Sequence, residues 1–564
     1  MVKMKSNKLK SIYQFLVYVG IFILLNVVGS FVFTTIDLTE DKRYSITEPT
    51  KKLLANLEED VLIKIYLDGD LPAGVKRLQK STTELLDGFR NYSSRIEYIT
   101  ENPLGGTVEE NNNAKRFLAD KFIYPNNLRI KGAEEERELL FYTYANVSYL
   151  GRNIPVNLVA KEGGGLTDYD INNSINLLEY KFADAINKLA SGIKPTIAFT
   201  RGHGELDDLQ TREFRDAMKS KYRVGFYNMD STTHISNDLD LLIIAKPTET
   251  FPIKHKFQID QYIMNGGKVM WLIDKLAINL DSLRRAPLVI PQDYPLDIDD
   301  LLFKYGARIQ PNLLMDLQCT QIELAVDAQG TRDKFDWYFH PVITPQTDHP
   351  IVKNLDGINL FFPNTIDTIR TKSYVKKTPL LMSTESTIIK RSPIELSFNI
   401  LRNTPPASQW NKGKFITGLL LEGTFDSEYQ GRVTSEMNEI LNGINQPYKA
   451  KSTETKMMVV SDGDIVKNLI NADKKTTIPL GYNRWSGYTF ANENFLINSV
   501  EYMLDEADLY EARSKEVKLR RLNSKKANEE RRYWQMLNIL IPLLLLALFG
   551  IVFTFLRRRK YNTQ

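Results

Sequence analysis

Apolar positions along the chain switch between three periods. Residues 12–33 and 537–556 are uncharged runs rich in Val, Ile, Leu and Phe. At 1.5 Å per helical residue, each run reaches across a hydrocarbon layer of about 30 Å. Between them the pattern is that of a folded soluble body. Thr47 and Pro49 mark a helix start, Thr47 as a cap and Pro49 in a first turn where its missing N–H has no partner. Residues 61–67 read as a strand, and Val75, Leu78, Thr82, Leu85, Leu86 and Phe89 recur at helical spacing. Strand 96–100, a polar helix 109–121, and strands 127–131, 139–150 and 153–160 follow, then helix 173–190. Past residue 194 strand and helix alternate again: strand 196–200, helix 209–220, strands 222–227 and 240–245, helix 255–264 and strand 268–273. The α/β pattern resumes at 415–421, 457–460 and helix 493–504.

This order predicts an α/β protein with two extracytoplasmic domains. The first, residues 36–191, runs β-α-β-α-β-β-α, a thioredoxin-like layout in topology alone, since the cysteines of that chemistry are absent. The second, 192–504, predicts a doubly wound parallel sheet, with an insertion over about 280–410 where proline clusters blur the pattern. Residues 505–533 are highly charged and helix-favouring, as in a solvated stalk leading to a terminal transmembrane helix and basic tail, 534–564. From residue 493 onward the pattern allows continuous helix into the membrane, interrupted at Pro542.

Charge fixes the expected orientation. Lys3, Lys5, Lys8 and Lys10 precede the first run, and Arg557, Arg558, Arg559 and Lys560 follow the second, with no acid in either tail. Both tails are therefore expected in the cytoplasm and the bulk in the periplasm, a two-pass inner-membrane topology. Tyr533 and Trp534 suit the membrane interface. A cleaved signal peptide is the alternative for the first run, but its apolar stretch is too long and no small-residue cleavage site follows. The formal net charge is +4, so residues 37–533 carry −4 once the two tails are set aside. A mildly acidic body argues against nucleic acid as a partner. Cys319 is the one cysteine, which excludes an intrachain disulfide, a CxxC pair and a cysteine-rich zinc site.

Several segments together resemble the gliding-motility-associated ABC transporter auxiliary proteins of the GldG type. They are Arg43-Tyr44-Ser45, the stretch Lys194-Pro195-Thr196-Ile197-Ala198-Phe199-Thr200-Arg201-Gly202-His203-Gly204-Glu205, residues 348–355, Ser461-Asp462-Gly463-Asp464, and residues 494–498. The likeness spans nearly the whole chain. It implies a noncatalytic, membrane-anchored auxiliary or substrate-binding subunit, partnered by an ABC permease, a cytoplasmic ATPase and membrane lipid, with no cofactor. It also implies a glutamine-amidotransferase-like α/β fold for the middle domain. Two other functions stay open, a periplasmic solute- or glycan-binding module and a degenerate hydrolase-like domain.

The candidate chemistry is sparse. Gly163-Gly164-Gly165 is followed by Leu-Thr-Asp, so no P-loop lysine is present and the chain is not the ATPase. An amidotransferase-type hydrolase needs a nucleophile on a strand-to-helix elbow, and Cys319 lies in Asp-Leu-Gln-Cys-Thr-Gln without the glycines of one. His203 and Glu205 sit where α/β sheets place ligands, either as a ligand-binding loop or as polar ties of a glycine turn. A metal site of His203, Glu205 and Asp207 lacks a further histidine nearby. Asp462 and Asp464 suit either a cation or an Asp-Gly turn. His340-Pro341 and His349-Pro350 read as loop stiffeners.

Overall fold

The computed structural model describes residues 13–24, 45–69, 71–131, 136–159, 167–192, 194–327, 330–410, 412–443, 447–471, 476–505, 509, 512 and 530–561. They fall into two units, one reaching to Lys515 and one from Glu516 onward. In the first unit, Tyr13–Leu24 form an apolar, exposed helix, α1, while the rest of the 12–33 run lies outside the described residues.

Around the first sheet the strand expected over 139–150 divides in two, and its first part pairs in a separate two-stranded ribbon. The elements of this region are α2 (Glu48–Ala55), β1 (Val61–Ile65), α3 (Ala73–Tyr92), β2 (Ile96–Thr100), α4 (Val108–Ala119), the pair β3 (Asn126–Lys131) and β4 (Glu136–Phe141), β5 (Tyr144–Tyr149), β6 (Arg152–Asn157) and α5 (Asp168–Ser191). The strands lie in the order β2-β1-β5-β6, with β1 parallel to β2 and antiparallel to β5. Val61, Ile63 and Ile65 point to one face and pack with Leu78 and Phe89 of α3 and Phe182 and Ile186 of α5. Helix α5 is capped at both ends: Thr167 and Asp170 form a reciprocal capping box, and Gly192 closes the other end at φ +71°. Thr47 does occupy the N-cap position of α2 but makes no capping bond. Its N–H and hydroxyl instead donate to Glu179 Oε1 of α5, each at 2.7 Å, because a buried carboxylate there needs donors.

The large sheet takes nine strands. In chain order the elements are β7 (Thr196–Arg201), α6 (Arg212–Lys219), β8 (Arg223–Asn228), β9 (Leu241–Ala245), α7 (Ile253–Met264), β10 (Lys268–Leu272), α8 (Leu280–Arg285), α9 (Asp299–Tyr305), β11 (Ala307–Ile309), β12 (Asn312–Asp316), β13 (Cys319–Ala325), β14 (Arg332–Ile343), β15 (Ile358–Asn359), β16 (Ile366–Thr368), β17 (Val375–Met382), β18 (Thr387–Arg391), β19 (Ile416–Gly423), α10 (Ser435–Gly443), β20 (Thr455–Val460), β21 (Tyr482–Asn483), β22 (Tyr488–Thr489) and α11 (Asn492–Leu504). Strand order is β11-β16-β19-β20-β10-β9-β7-β8, with β17 also on β19. Strands β20-β10-β9-β7-β8 are mutually parallel. From β19 outward the pairing turns antiparallel, so the expected parallel sheet is a mixed one.

Both faces of the parallel part are covered, which is why its strands read as unbroken apolar runs. Leu241, Ile243 and Ala245 of β9 face a core shared with Phe214 of α6 and Phe495 and Val500 of α11. Leu242 and Ile244 face the opposite core with Ile259 and Ile263 of α7 and Tyr305 of α9. The segment expected as an insertion divides. β11, β16 and β17 join the large sheet, while β12 pairs β18 and β13, β14 and β15 form a third layer around Trp337 and Phe339.

Helix α11 ends at Leu504, and Asp505 has extended backbone at φ −74°, ψ 116°. The continuous helix expected from residue 493 into the membrane is therefore broken at Asp505. Most of the 505–533 stalk lies outside the described residues. The second unit contains α12 (Arg531–Tyr561), of which 29 residues, Arg531–Arg559, are long and apolar enough to cross a membrane.

Candidate functional site

The five parallel strands deliver polar residues to one carboxyl edge: His203 and Glu205 after β7, Asp230 after β8, Lys246 after β9, Asp274 after β10, and Asp462 and Asp464 after β20. In open α/β sheets this edge is where ligands bind. Here the groups close on one another in two clusters, buried except at Asp230.

In the first cluster His203 lies between a carboxylate and a second histidine. Its Nδ1 is 3.1 Å from Glu205 Oε1, and its Nε2 is 2.9 Å from His255 Nδ1 on the first turn of α7. His255 Nε2 in turn lies 3.2 Å from Asp230 Oδ1. The His203 ring stacks on Phe251, centroids 3.7 Å apart and planes 12° from parallel. His203 and Glu205 side chains are each 1% exposed, whereas Asp230 is 71% exposed, so the chain runs from interior to solvent. Burial opposes the Glu205 charge, but the side-chain and backbone hydrogen bonds from His203 outweigh it and hold this carboxyl below its ordinary value. Burial, then the neighbouring His203, pushes the His255 imidazole down. The loop is tight. Gly204 has φ +68°, and a Cβ there would stand 2.1 Å from Thr248 Oγ1, while the His203 carbonyl accepts from Thr248 N and Glu249 N at 2.8 and 2.9 Å.

The second cluster centres on Lys246. Its ammonium is 2.9 Å from Asp274 Oδ2 and 2.6 Å from Asp464 Oδ2, tying together the ends of β9, β10 and β20. Gly463 N donates to Asp274 Oδ1 at 2.6 Å, and Asp464 N donates to Asp462 Oδ1 at 2.8 Å, an Asx turn. Asp462 Oδ2 accepts from Phe361 N at 2.7 Å. Burial raises the Asp462 and Asp274 carboxyls above their usual range. It also opposes ionisation of Asp464, but the Lys246 and Lys467 charges prevail and keep Asp464 low. Lys246 is held above the ordinary ammonium value by Asp274 and Asp464 despite its own burial. Its backbone is left-handed, φ +53°, which a non-glycine residue adopts at a cost of about 1–3 kcal/mol.

The four sequence candidates thus share one edge but not one site. His203 and Glu205 are in contact; Asp462 and Asp464 belong to the lysine cluster. Asp207 turns away into reciprocal bonds with Gln210, both 2.8 Å, and does not join His203. Cys319 begins β13, and burial followed by Asp336 and Asp316 pushes its thiol up to about 12. His340 is buried among Trp337, Phe361 and Phe362, and burial lowers its imidazole to about 3. The sequence reading passed over Lys246, Asp274, Asp230 and His255. For the first two a signal existed, since each is the charged residue that ends a fully apolar strand run. Nothing local marks Asp230 or His255, because their partners lie far away in sequence.

The result is a mixed α/β sheet, covered on both faces, whose carboxyl edge is cross-tied by ion pairs among its own residues. The chain matches the description "ABC-type uncharacterized transport system" over residues 194–499, and it belongs to that family of transport-system auxiliary proteins. Residues 40–148 match a domain family of unknown function. A protein of Borreliella burgdorferi, described as uncharacterized, is 21% identical over 552 residues, 93% of this chain and 94% of that one. Among solved structures, the mmIFT52 N-terminal domain aligns with TM-score 0.31 and 12% identity over 55% of this chain and 96% of its own. The exo-β-1,4-mannosidase Op5Man5 from Opitutaceae bacterium strain TAV5 aligns with TM-score 0.22 and 10% identity over 59% and 39%.

Proposed function

We propose that this chain is a noncatalytic, membrane-anchored auxiliary subunit of an ABC transport complex of the gliding-motility type, docked on a permease and its cytoplasmic ATPase. Family membership supports the transport setting, and α12 supports an anchor. The observation that carries the noncatalytic reading is Lys246. It occupies the left-handed seat directly after a central strand, the geometry in which elbow enzymes present a nucleophile. Yet its amine is kept protonated by two carboxylates and so has no free electron pair to attack with. On this reading His203, Glu205, Asp462 and Asp464 hold the edge in shape. The parallel β1–β2 pair flanked by the β5–β6 hairpin supports a thioredoxin-like first domain. Both termini are placed in the cytoplasm and residues 36–533 in the periplasm. Purification of the tagged full chain in detergent should bring down a polytopic permease and a P-loop ATPase; their absence from a stable preparation would sink the proposal. Reporter fusions after residues 5 and 560 should both report cytoplasm.

A second reading, a solute- or glycan-binding module, has one feature in its favour. An open groove beside the first sheet is lined by Lys64, Tyr66, Glu101, Asn102, Asn111 and Phe117, an aromatic and polar mixture suited to a hydroxylated ligand. A thermal-shift screen against neutral and acidic oligosaccharides decides it: no ligand-dependent rise in Tm removes this reading.

A further inference from the structure

The hydrogen-bond chain Glu205–His203–His255–Asp230 poses a counting problem. Three contacts, at 3.1, 2.9 and 3.2 Å, occupy all four imidazole nitrogens. A carboxylate accepts only, so His203 must donate from Nδ1 to Glu205, and His255 must donate from Nε2 to Asp230. The contact between the rings then needs a third N–H, on either His203 Nε2 or His255 Nδ1. Two neutral imidazoles carry two such protons in all. With two, one contact sets a lone pair against a carboxylate or another lone pair; with four, two N–H groups meet head-on at 2.9 Å.

We propose that the His203–His255 pair is a proton-binding site that holds one shared proton. The carboxyl edge of the large sheet is thereby a proton-sensitive latch between the loop after β7 and helix α7. The proton comes from bulk water, entering at the exposed Asp230 end. Binding leaves a single imidazolium between two carboxylates. The charged groups facing the pair are Glu205 from the same loop, Asp230 from the loop after β8 and Lys254 from α7. Glu205 is buried and ionised, so it needs a positive partner within the fold, and the pair supplies one. Phe251, stacked face-on against His203, adds cation–π stabilisation of the imidazolium. Loss of the proton breaks one link. Because the His203 carbonyl also anchors Thr248 and Glu249, the change reaches the loop after β9 as well.

The same counting predicts what two conservative variants do. In Glu205→Gln the new amide donates to His203 Nδ1, and the chain closes with both rings neutral and protonated at Nε2. In Asp230→Asn the amide donates to His255 Nε2, and both rings are neutral and protonated at Nδ1. The chain has five histidines, so the full-length protein in detergent, labelled with ¹⁵N-histidine, gives ten ring nitrogens to assign by NMR. At pH 7.5 the pair in the unaltered protein should show three protonated nitrogens, and each variant two, with opposite tautomers. A count of two or four in the unaltered protein overturns the proposal, as does the same tautomer in both variants. Asp230 is 71% exposed, so its variant leaves folding intact and keeps the test decisive should Glu205→Gln unfold.

Discussion

Lys246 concentrates the physics of the edge in one residue. Its ammonium is the principal counter-charge for Asp274 and shares Asp464 with Lys467, and a Cβ on Gly463 would lie 2.7 Å from the Lys246 Cβ, so the packing leaves no slack. Lys246→Met should cost about 3–5 kcal/mol at pH 7, the usual result of stranding a buried charge. That cost should shrink toward pH 5. Without the ammonium the folded-state carboxyls rise, and a carboxyl raised by folding adds stability as pH falls. Urea midpoints of the full chain in detergent at both pH values check the size and the sign. Cys319 gives a second test. With its thiol pushed up to about 12, thiolate is scarce at pH 8, and maleimide labelling should be slower than for an unperturbed cysteine by a factor of about 10³. Labelling at the ordinary rate would show that this half-buried thiol ionises like a free one.

Among the elements, the strands and helices of the parallel half were readable because burial on both faces forces a continuous apolar run bounded by polar loop residues, as in Leu241–Ala245 followed by Lys246. The antiparallel half was not. β16 has three residues, and its pairing with β11 and β19 depends on partners some sixty and fifty positions away, which no local period encodes. The candidate site was legible only in part for a related reason. A glycine-flanked His203 and Glu205 stand out in a loop, but His255 sits on an ordinary amphipathic helix and becomes notable only through a 2.9 Å contact made by the fold. The helix expected over 493–504 does end at Leu504; what fails is the continuation that composition allows beyond it, because Asp505 takes extended backbone. Glu501 near that helix end accepts from Tyr180 Oη at 3.1 Å and pairs with Lys221 at 2.5 Å. Glu501→Ala leaves the partly buried Lys221 with Asp184 as its carboxylate partner and should lower stability by about 2–4 kcal/mol, read from the denaturation midpoint.

For the molecule as a whole, the transport setting makes mechanical continuity the central question, and α5 bears on it. One side of this 24-residue helix lies in the core of the first sheet through Leu178, Phe182 and Ile186. The other side meets the body of the large sheet: Tyr180 bonds Glu501, Asp184 pairs with Lys221, and Asn173 donates to the Asn354 carbonyl at 3.1 Å. A helix buried in one core and bonded by polar side chains to the neighbouring body couples the two. The two sheets should therefore melt as a single cooperative block, although their sequences match separate family models. Calorimetry of the full chain should give equal calorimetric and van't Hoff enthalpies for that transition, and two resolved peaks would show the sheets to be independent. A load applied to α11 would then be shared by both sheets of this unit as one stiff object, since the bonds from α5 join them directly.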